Sequence, residues 1–185
     1  MLDEYSDREA VRSNASGSPP DNGRASTLAI TLRKAIDDRT ATVGVIGLGY
    51  VGLPLVELFA AGGFPVLGLD IDRPKISALQ AGRSYIGHIP SERIAALNAS
   101  GRFEATADFG QLGRCDAVLI CVPTPLGRYR EPDLGAVINT GRAIARELRP
   151  GQLVVLESTT YPGTTRDVLR PELEASGLKA GQDFF

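Results

Sequence analysis

Three glycines at fixed spacing separate two apolar segments early in the chain. Gly47, Gly49 and Gly52 follow the run 41–46, which is typical of a strand, and begin the run 50–61, which is typical of a helix. In such a turn the first glycine permits a tight bend, the second leaves room for a phosphate, and the third lets the helix approach the sheet. The helix N-terminus adds free N–H groups and a positive dipole end. The same spacing also suits a strand–helix turn without a ligand.

An acidic residue follows at the distance that a dinucleotide site requires. Asp70 ends the second apolar run, 64–69, and lies roughly 20 residues after Gly47, as expected for the carboxylate that holds a ribose. It would accept hydrogen bonds from the ribose diol and repel a 2′-phosphate, which predicts NAD rather than NADP as the cofactor. Lys75 follows closely enough to weaken that preference.

Two later motifs, "CVPTPL" at 121–126 and "ESTTYPGTT" at 157–165, follow apolar strand-like runs. Ligands of open α/β sheets lie at the carboxyl ends of strands, so Thr124 is placed to touch a cofactor or a water molecule. Glu157 suits a general base or a group that positions water. The alternatives are a rigid proline turn around Thr124 and a solvated Glu157.

The other reactive side chains are isolated in sequence. His88 has no second metal-type ligand nearby, so we expect a surface or loop-packing role. Cys121 ends an apolar strand, where a packing role is usual. Cys115 has no partner at metal-ligand spacing, and we therefore expect no metal site and no disulfide framework. The arginines of "GRYREP" at 127–132 suit either a phosphate contact or a solvated loop.

Apolar strands alternate with helices along the chain, which predicts a Rossmann-like, doubly wound parallel sheet of the α/β class. Residues 1–25 are polar and are expected to be disordered, and 26–185 form the NAD-binding domain. The predicted strands are 41–46, 64–69, 103–108, 117–122 and 153–156. The predicted helices are 27–38, 50–61, 73–81, 91–102, 133–148 and 164–176.

Several helix ends are marked by residue type. Ser91 is expected to cap one helix, with Gly101 as its stop. Asp133 is expected to cap a second helix, and Thr164 with Asp167 resembles a capping box for a third. A sixth strand is expected where the chain reaches its last two phenylalanines. The domain is therefore expected to be incomplete there, and the chain is expected to be the front part of a longer protein.

Composition excludes several classes of partner. The chain has 185 residues, a formal net charge of −2 and 43% hydrophobic residues, so nothing favours nucleic acid or a membrane surface. No apolar stretch reaches the roughly 18 residues of a membrane helix, and the polar N-terminus lacks the apolar core of a signal peptide. We expect a cytoplasmic protein.

Four motifs in order carry a family resemblance: "GVIGLGYVGLP", "DID" followed by Lys75, "CVPTPL" and "ESTTYPGTT". Together they resemble the N-terminal NAD-binding domain of the UDP-glucose/GDP-mannose dehydrogenase family over residues 28–185. "HIPSERI", with the last two motifs, is similar to the branch that acts on UDP-N-acetylhexosamines.

The resemblance implies an oxidoreductase that converts the C6 hydroxymethyl group of a nucleotide sugar to a carboxylate while two NAD⁺ are reduced. It implies that Thr124 places a water molecule or the nicotinamide and that Glu157 assists thioester hydrolysis. The cofactor-binding residues implied are Gly47, Gly49, Tyr50, Val51, Gly52, Asp70, Lys75, Thr124 and Thr159.

The resemblance also implies that the sheet is truncated before a central helix and a C-terminal domain, which hold part of the catalytic machinery. The catalytic cysteine of the family belongs to a later domain, and neither Cys115 nor Cys121 lies in a matching motif. The chain alone is therefore expected to bind NAD without turnover. The full-length protein is expected to take a UDP-sugar and to be a homo-oligomer. The alternatives are a non-catalytic NAD-binding module and another Rossmann dehydrogenase, of the hydroxyacid or 6-phosphogluconate type.

Overall fold

A computed structural model describes residues 22–126 and 132–185. Its strands are β1 (Val43–Ile46), β2 (Val66–Leu69), β3 (Phe103–Thr106), β4 (Ala117–Ile120) and β5 (Leu153–Leu156). Its α-helices are α1 (Asn22–Asp37), α2 (Gly52–Ala61), α3 (Arg73–Gln80), α4 (Ser91–Ala99), α5 (Gly135–Glu147) and α6 (Arg170–Glu174). A 3₁₀ helix spans Phe109–Arg114, and a π-helix spans Thr165–Leu169. None of the helices in these ranges is long and apolar enough to cross a membrane.

The strands form one parallel sheet in the order β3-β2-β1-β4-β5. The predicted α/β class with a doubly wound parallel sheet is therefore confirmed. Strands β1, β2 and β4 are buried along their whole length, as their Val, Leu and Ile content requires when helices cover both faces. Chain order reverses between β1 and β4, where Ile46 pairs with Ile120. This is the point at which α/β sheets bind ligands.

Alternate strand residues enter two separate hydrophobic cores, because successive side chains of a strand point to opposite faces. Val45 and Leu119 lie in one core with residues of α2, α3 and α4. Ile46 and Ile120 lie in the other with residues of α5, α6 and the 3₁₀ helix.

Helix α1 begins at Asn22, before the predicted start at residue 27. Residues 22–25, which the sequence assigns to the disordered segment, are thus helical, and Arg24 lies 3.4 Å from the carboxylate of Asp183. Farther along α1, Ala35 and Ile36 pack against the first core. The rest of the predicted disordered segment lies outside the described residues.

Two of the predicted caps are wrong and one is displaced. Pro90 occupies the N-cap of α4, and Ser91 is its first helical residue, whose hydroxyl accepts a hydrogen bond from the Ser84 N–H (3.1 Å). Gly101 has a φ of +66°, as the predicted stop requires. Helix α5 begins at Gly135, whose N–H donates to the carboxylate of Asp133 (2.8 Å).

The predicted capping box at 164–167 does not form. The Thr164 hydroxyl donates to the Tyr161 carbonyl (2.8 Å), and the Asp167 carboxylate is paired with the neighbouring Arg166 (2.7 Å). The chain makes a π-turn here before α6 begins at Arg170.

The last residues align with the start of β5. The Phe185 N–H donates to the Gln152 carbonyl (2.8 Å), and the Val154 N–H donates to the Phe185 carbonyl (2.7 Å). This is the hydrogen-bond pattern of a parallel neighbour, but the sheet of the described residues has five strands, and the predicted sixth strand is not among them.

Gln152 is a buried polar residue that joins the 3₁₀ helix to the start of β5. Its side chain is 1% exposed. Its amide donates to the carbonyls of Leu112 (3.0 Å) and Cys115 (2.7 Å), and its oxygen accepts from the Arg149 N–H (2.8 Å). A buried polar side chain stabilises the fold only while each of its hydrogen-bond partners is present, because an unpaired buried polar group is costly.

We expect Gln152→Ala to lower the free energy of unfolding by about 2 kcal/mol, because it strands buried backbone groups. Chemical denaturation measures this loss. The exposed Gln182→Ala is the matched control and should leave the midpoint unchanged. Equal midpoints for the two variants would contradict the structural role of Gln152.

Candidate cofactor-binding site

Strand β1 ends in a turn that only glycine can make. Gly47 has a φ of +91°, and a Cβ there would lie 2.6 Å from the carbonyl oxygen of Cys121. Its N–H donates to the Leu69 carbonyl (2.8 Å), which continues the pairing of β1 with β2 by one residue. The turn is therefore pressed between the carboxyl ends of β2 and β4.

Gly52 is tightly packed, whereas the space beside Gly49 is open. A Cβ on Gly52 would lie 1.9 Å from the carbonyl oxygen of Gly47, so α2 packs on the turn at a distance that excludes any side chain. A Cβ on Gly49 would have no atom within 4 Å, and its φ lies outside the left-handed region. The fold thus requires glycine at 52, whereas the open space at Gly49 fits the approach of a ligand to the backbone.

The N-terminus of α2 faces this open space. The Leu53 N–H donates to the Gly49 carbonyl (3.1 Å) and the Leu55 N–H to the Val51 carbonyl (3.3 Å), so the N–H groups of Tyr50 and Val51 precede these helical bonds. Helix α2 has no acidic residue in its first turn. Together with the helix dipole, these features suit a bound anion.

Asp70 lies directly behind the glycine turn. It is 7% exposed. Its Oδ2 accepts from the Leu48 N–H (2.9 Å), its Oδ1 accepts from the Asp72 N–H (2.9 Å), and the Lys75 Nζ lies 3.6 Å from Oδ2. Because each carboxylate oxygen accepts more than one hydrogen bond, this arrangement retains capacity for a hydroxyl of a ligand. The bond to Leu48 was not predicted from the sequence.

Tyr85 is a further contact that sequence reasoning missed. Its O–H donates to the Leu48 carbonyl, and the Lys75 Nζ lies 5.8 Å from its ring centre. Burial, and then the charges of Asp70 and Asp72, raise the pKa of Tyr85 well above its usual value, so the phenol remains a donor. No spacing rule in the sequence marks this residue.

The loops after β4 and β5 are tied to each other. The Thr124 hydroxyl donates to the Thr159 carbonyl (2.6 Å), and the Ser158 hydroxyl donates to the Val122 carbonyl (2.7 Å). Because the proton of Thr124 is committed to Thr159, its oxygen is left to act as an acceptor. The sequence predicted the location of Thr124 but not this bond.

Glu157 follows β5, and its side chain is exposed. Its N–H donates to the Ile120 carbonyl (3.0 Å), which fixes the backbone beside β4. Burial, and then the Glu157 charge, raise the pKa of the Cys121 thiol to about 11. Burial raises the pKa of Cys115 to about 11 as well. Both thiols are therefore protonated at neutral pH, unlike an activated nucleophile.

The predicted site residues gather along one edge of the sheet. The glycine turn, Asp70 and Lys75 lie at the ends of β1 and β2, and Thr124, Glu157 and Thr159 follow β4 and β5. Among the described residues, no group of three His, Cys, Asp or Glu side chains is placed to hold a metal ion. Most of "GRYREP" lies outside the described residues, so its arginines are not placed.

A parallel sheet with a glycine turn, an open helix N-terminus and an acid after β2 defines a dinucleotide-binding domain of the Rossmann class. Residues 41–184 match the model of the UDP-glucose/GDP-mannose dehydrogenase family, NAD binding domain. The chain belongs to this family, and its cofactor is NAD.

Individual relatives agree with this membership. The UDP-N-acetyl-D-glucosamine 6-dehydrogenase of Pseudomonas aeruginosa is 35% identical over 144 residues, which are 77% of this chain and 33% of that protein. The solved NDP-N-acetyl-D-galactosaminuronic acid dehydrogenase of Methanosarcina mazei has a TM-score of 0.73 and 38% identity, over 83% of this chain and 35% of that one. A solved ternary complex of GDP-mannose dehydrogenase from Pseudomonas aeruginosa has a TM-score of 0.74 and 34% identity, over 77% of this chain and 34% of that one. The chain thus spans about a third of the length of the relatives it matches.

Substitutions at Gly52 and Gly49 should have different effects, one on stability and the other on NAD binding. Gly52→Ala should lower the free energy of unfolding by about 3 kcal/mol, because the new methyl group meets the Gly47 carbonyl. Gly49→Ala should change it by less than about 1 kcal/mol, yet weaken NAD binding because the methyl group enters the open space. Denaturation and calorimetric titration of both variants check this. A Gly49→Ala variant that binds NAD like the wild type would show that the phosphates do not approach there.

Proposed function

We propose that this chain is the NAD-binding part of a nucleotide-sugar 6-dehydrogenase that oxidises the C6 hydroxymethyl group of a UDP-N-acetylhexosamine to a carboxylate. The observation that carries the proposal is the open backbone at Gly49, between the N-terminus of α2 and the buried Asp70. Similarity to dehydrogenases of N-acetylated sugar nucleotides supports the substrate class.

We assign the pyrophosphate of NAD to the glycine turn. Gly47, Gly49 and Gly52 shape the backbone there, and the N–H groups of Tyr50 and Val51 donate to the phosphates. This assignment is supported by the exposure of both side chains, 75% for Tyr50 and 54% for Val51, at the first turn of α2.

Asp70 is assigned to the adenosine ribose, and Lys75 lies beside it. Because Lys75 also lies 3.9 Å from Asp72, its charge is shared between two carboxylates. It therefore neutralises the acids around the ribose without offering a dedicated site for a 2′-phosphate. This arrangement supports NAD as the preferred cofactor.

Thr124 and Thr159 are assigned to the nicotinamide half of the site. The bond between them holds the two loops at a fixed separation, and the Thr124 oxygen, with its own proton committed, accepts a hydrogen bond from a water molecule or from the carboxamide. When bound, NAD⁺ supplies the hydride acceptor for the oxidation. Thr124 thereby orients groups that approach that edge.

Glu157 is assigned to proton transfer during hydrolysis of the oxidised intermediate. Its exposed carboxylate follows β5 and is next to the Ser158 hydroxyl, which anchors the loop on Val122. The backbone of Glu157 is fixed beside β4, and a carboxylate presented to solvent from that position can take a proton from water as a general base. The nucleophile that carries the intermediate is assigned outside this chain, because Cys115 is buried, Cys121 is half-buried, and the raised pKa values keep both thiols protonated at neutral pH.

We infer a cytoplasmic location and a homo-oligomeric full-length enzyme without a nucleic-acid or membrane partner. Both cysteines are free thiols, which suits a reducing compartment. The helical segment 22–25 is taken as part of the folded domain, with its boundary near residue 22.

The role of Asp70 has a direct test. Asp70→Ala should weaken NAD binding about tenfold or more, because the ribose loses a charged acceptor. It should also narrow the preference for NAD over NADP, which general damage to the turn would not do. Calorimetry with both dinucleotides measures this, and the exposed Asp38→Ala is the control. An Asp70→Ala variant with unchanged NAD affinity would contradict the assignment of Asp70 to the ribose.

The chain by itself should bind NAD and form no NADH when a UDP-N-acetylhexosamine is added. The expectation follows from the short span of the chain, which covers about a third of the length of the relatives it matches, so the sugar-nucleotide contacts and the nucleophile are assigned to the rest of the protein. Absorbance and fluorescence of NADH are the readouts. Steady NADH formation that survives in the Cys115→Ser/Cys121→Ser variant would show that the chain is a complete dehydrogenase with different chemistry.

A further inference from the structure

A tight turn between α3 and α4 projects the single histidine of the chain toward the first turn of α2. The Ile89 N–H donates to the Ile86 carbonyl (2.9 Å), with Gly87 and His88 between them. Ile86 and Ile89 are 4% and 3% exposed, whereas Gly87 and His88 are exposed. The flanks of the turn are thus fixed in the core while its tip is presented to solvent.

The same turn is fastened to the glycine turn. Tyr85 precedes it, and the Tyr85 O–H donates to the Leu48 carbonyl, between Gly47 and Gly49. The Ser84 N–H donates to the Ser91 hydroxyl (3.1 Å), which closes the base of the loop on α4. The tip at His88 therefore has a defined position relative to the site.

At that position the His88 ring stacks on Tyr50. Their ring centres are 6.0 Å apart and their planes differ by 19°. Tyr50 is still 75% exposed in this stack, so little surface is buried and packing gains little stability from it. The stability gained from the stack is therefore too small to explain why the loop places an imidazole beside Tyr50.

The glycine turn lacks a cationic side chain that could bind a phosphate. Residues 47–52 contain no charged side chain, and Lys75 is held between Asp70 and Asp72 at 3.6 and 3.9 Å. A pyrophosphate on the N-terminus of α2 would find backbone N–H groups but no cationic side chain in the turn itself. An imidazole has an N–H donor in both of its protonation states.

We propose that His88 is a phosphate-binding residue of the cofactor site, which donates an N–H to the NAD pyrophosphate from its stack on Tyr50. The inference rests on the proposed function, since it needs the dinucleotide at the glycine turn. It assigns to the turn after α3 a role in binding, in addition to its packing under α4.

Three variants separate hydrogen bonding from stacking. His88→Phe keeps an aromatic ring on Tyr50 without a donor, His88→Gln keeps N–H donors without the ring, and Arg102→Gln removes an exposed positive charge at the opposite edge of the sheet as the control. Calorimetry of the full chain with NAD and with ADP-ribose, which has the same pyrophosphate, measures affinity. The NMR signals of the single imidazole, followed during the titration, report contact directly.

We expect His88→Phe to weaken binding of both ligands about tenfold, His88→Gln to bind more tightly than His88→Phe, and Arg102→Gln to bind like the wild type. The imidazole signals should shift in step with saturation. Binding by His88→Phe within about twofold of the wild type, or tighter than by His88→Gln, would overturn the role of His88 and leave the proposed function standing. Absence of NAD binding by the wild-type chain would overturn both.

Discussion

The contact on which the rest of the domain depends is the approach of α2 to the end of β1. The space that a Cβ of Gly52 would occupy is already filled by the Gly47 carbonyl at 1.9 Å. That approach seats Leu53 and Val56 in the first core, where both are fully buried. It also aims the first turn of α2 at the carboxyl edge of the sheet. Packing and anion binding thus have a common geometric cause.

The sheet edge works as one surface because the strand ends are in register. Ile46 of β1 pairs with Ile120 of β4, and Ile120 pairs with Leu156 of β5. Because these strands end at the same level, the loops that follow them lie side by side. The hydrogen bonds of the Thr124 and Ser158 hydroxyls join the loop after β4 to the loop after β5. Residues far apart in sequence therefore lie along one edge of the sheet.

The fold was predictable from the sequence to a large degree, and the site in part. Strand β5 was predicted at its observed bounds, because an apolar run between turn residues suffices when both faces of a sheet are covered. Gly47 and Asp70 were predicted because their spacing is itself the signal. Contacts that depend on tertiary placement were not: the bond of Tyr85 to Leu48 joins residues with no common pattern. The capping residues failed for a related reason, since neighbouring groups competed for the same hydroxyls and carboxylates.

Asp70 has a consequence for how this protein can change over time. Its carboxylate holds the Leu48 N–H and the Asp72 N–H while it faces the ribose position. A change of cofactor preference at this position would therefore also remove an acceptor of the Leu48 N–H, which costs about 1 kcal/mol of stability. Such a change would be less costly in stability if another side chain first accepted that hydrogen bond. Cofactor preference and local stability are in this way linked through one carboxylate.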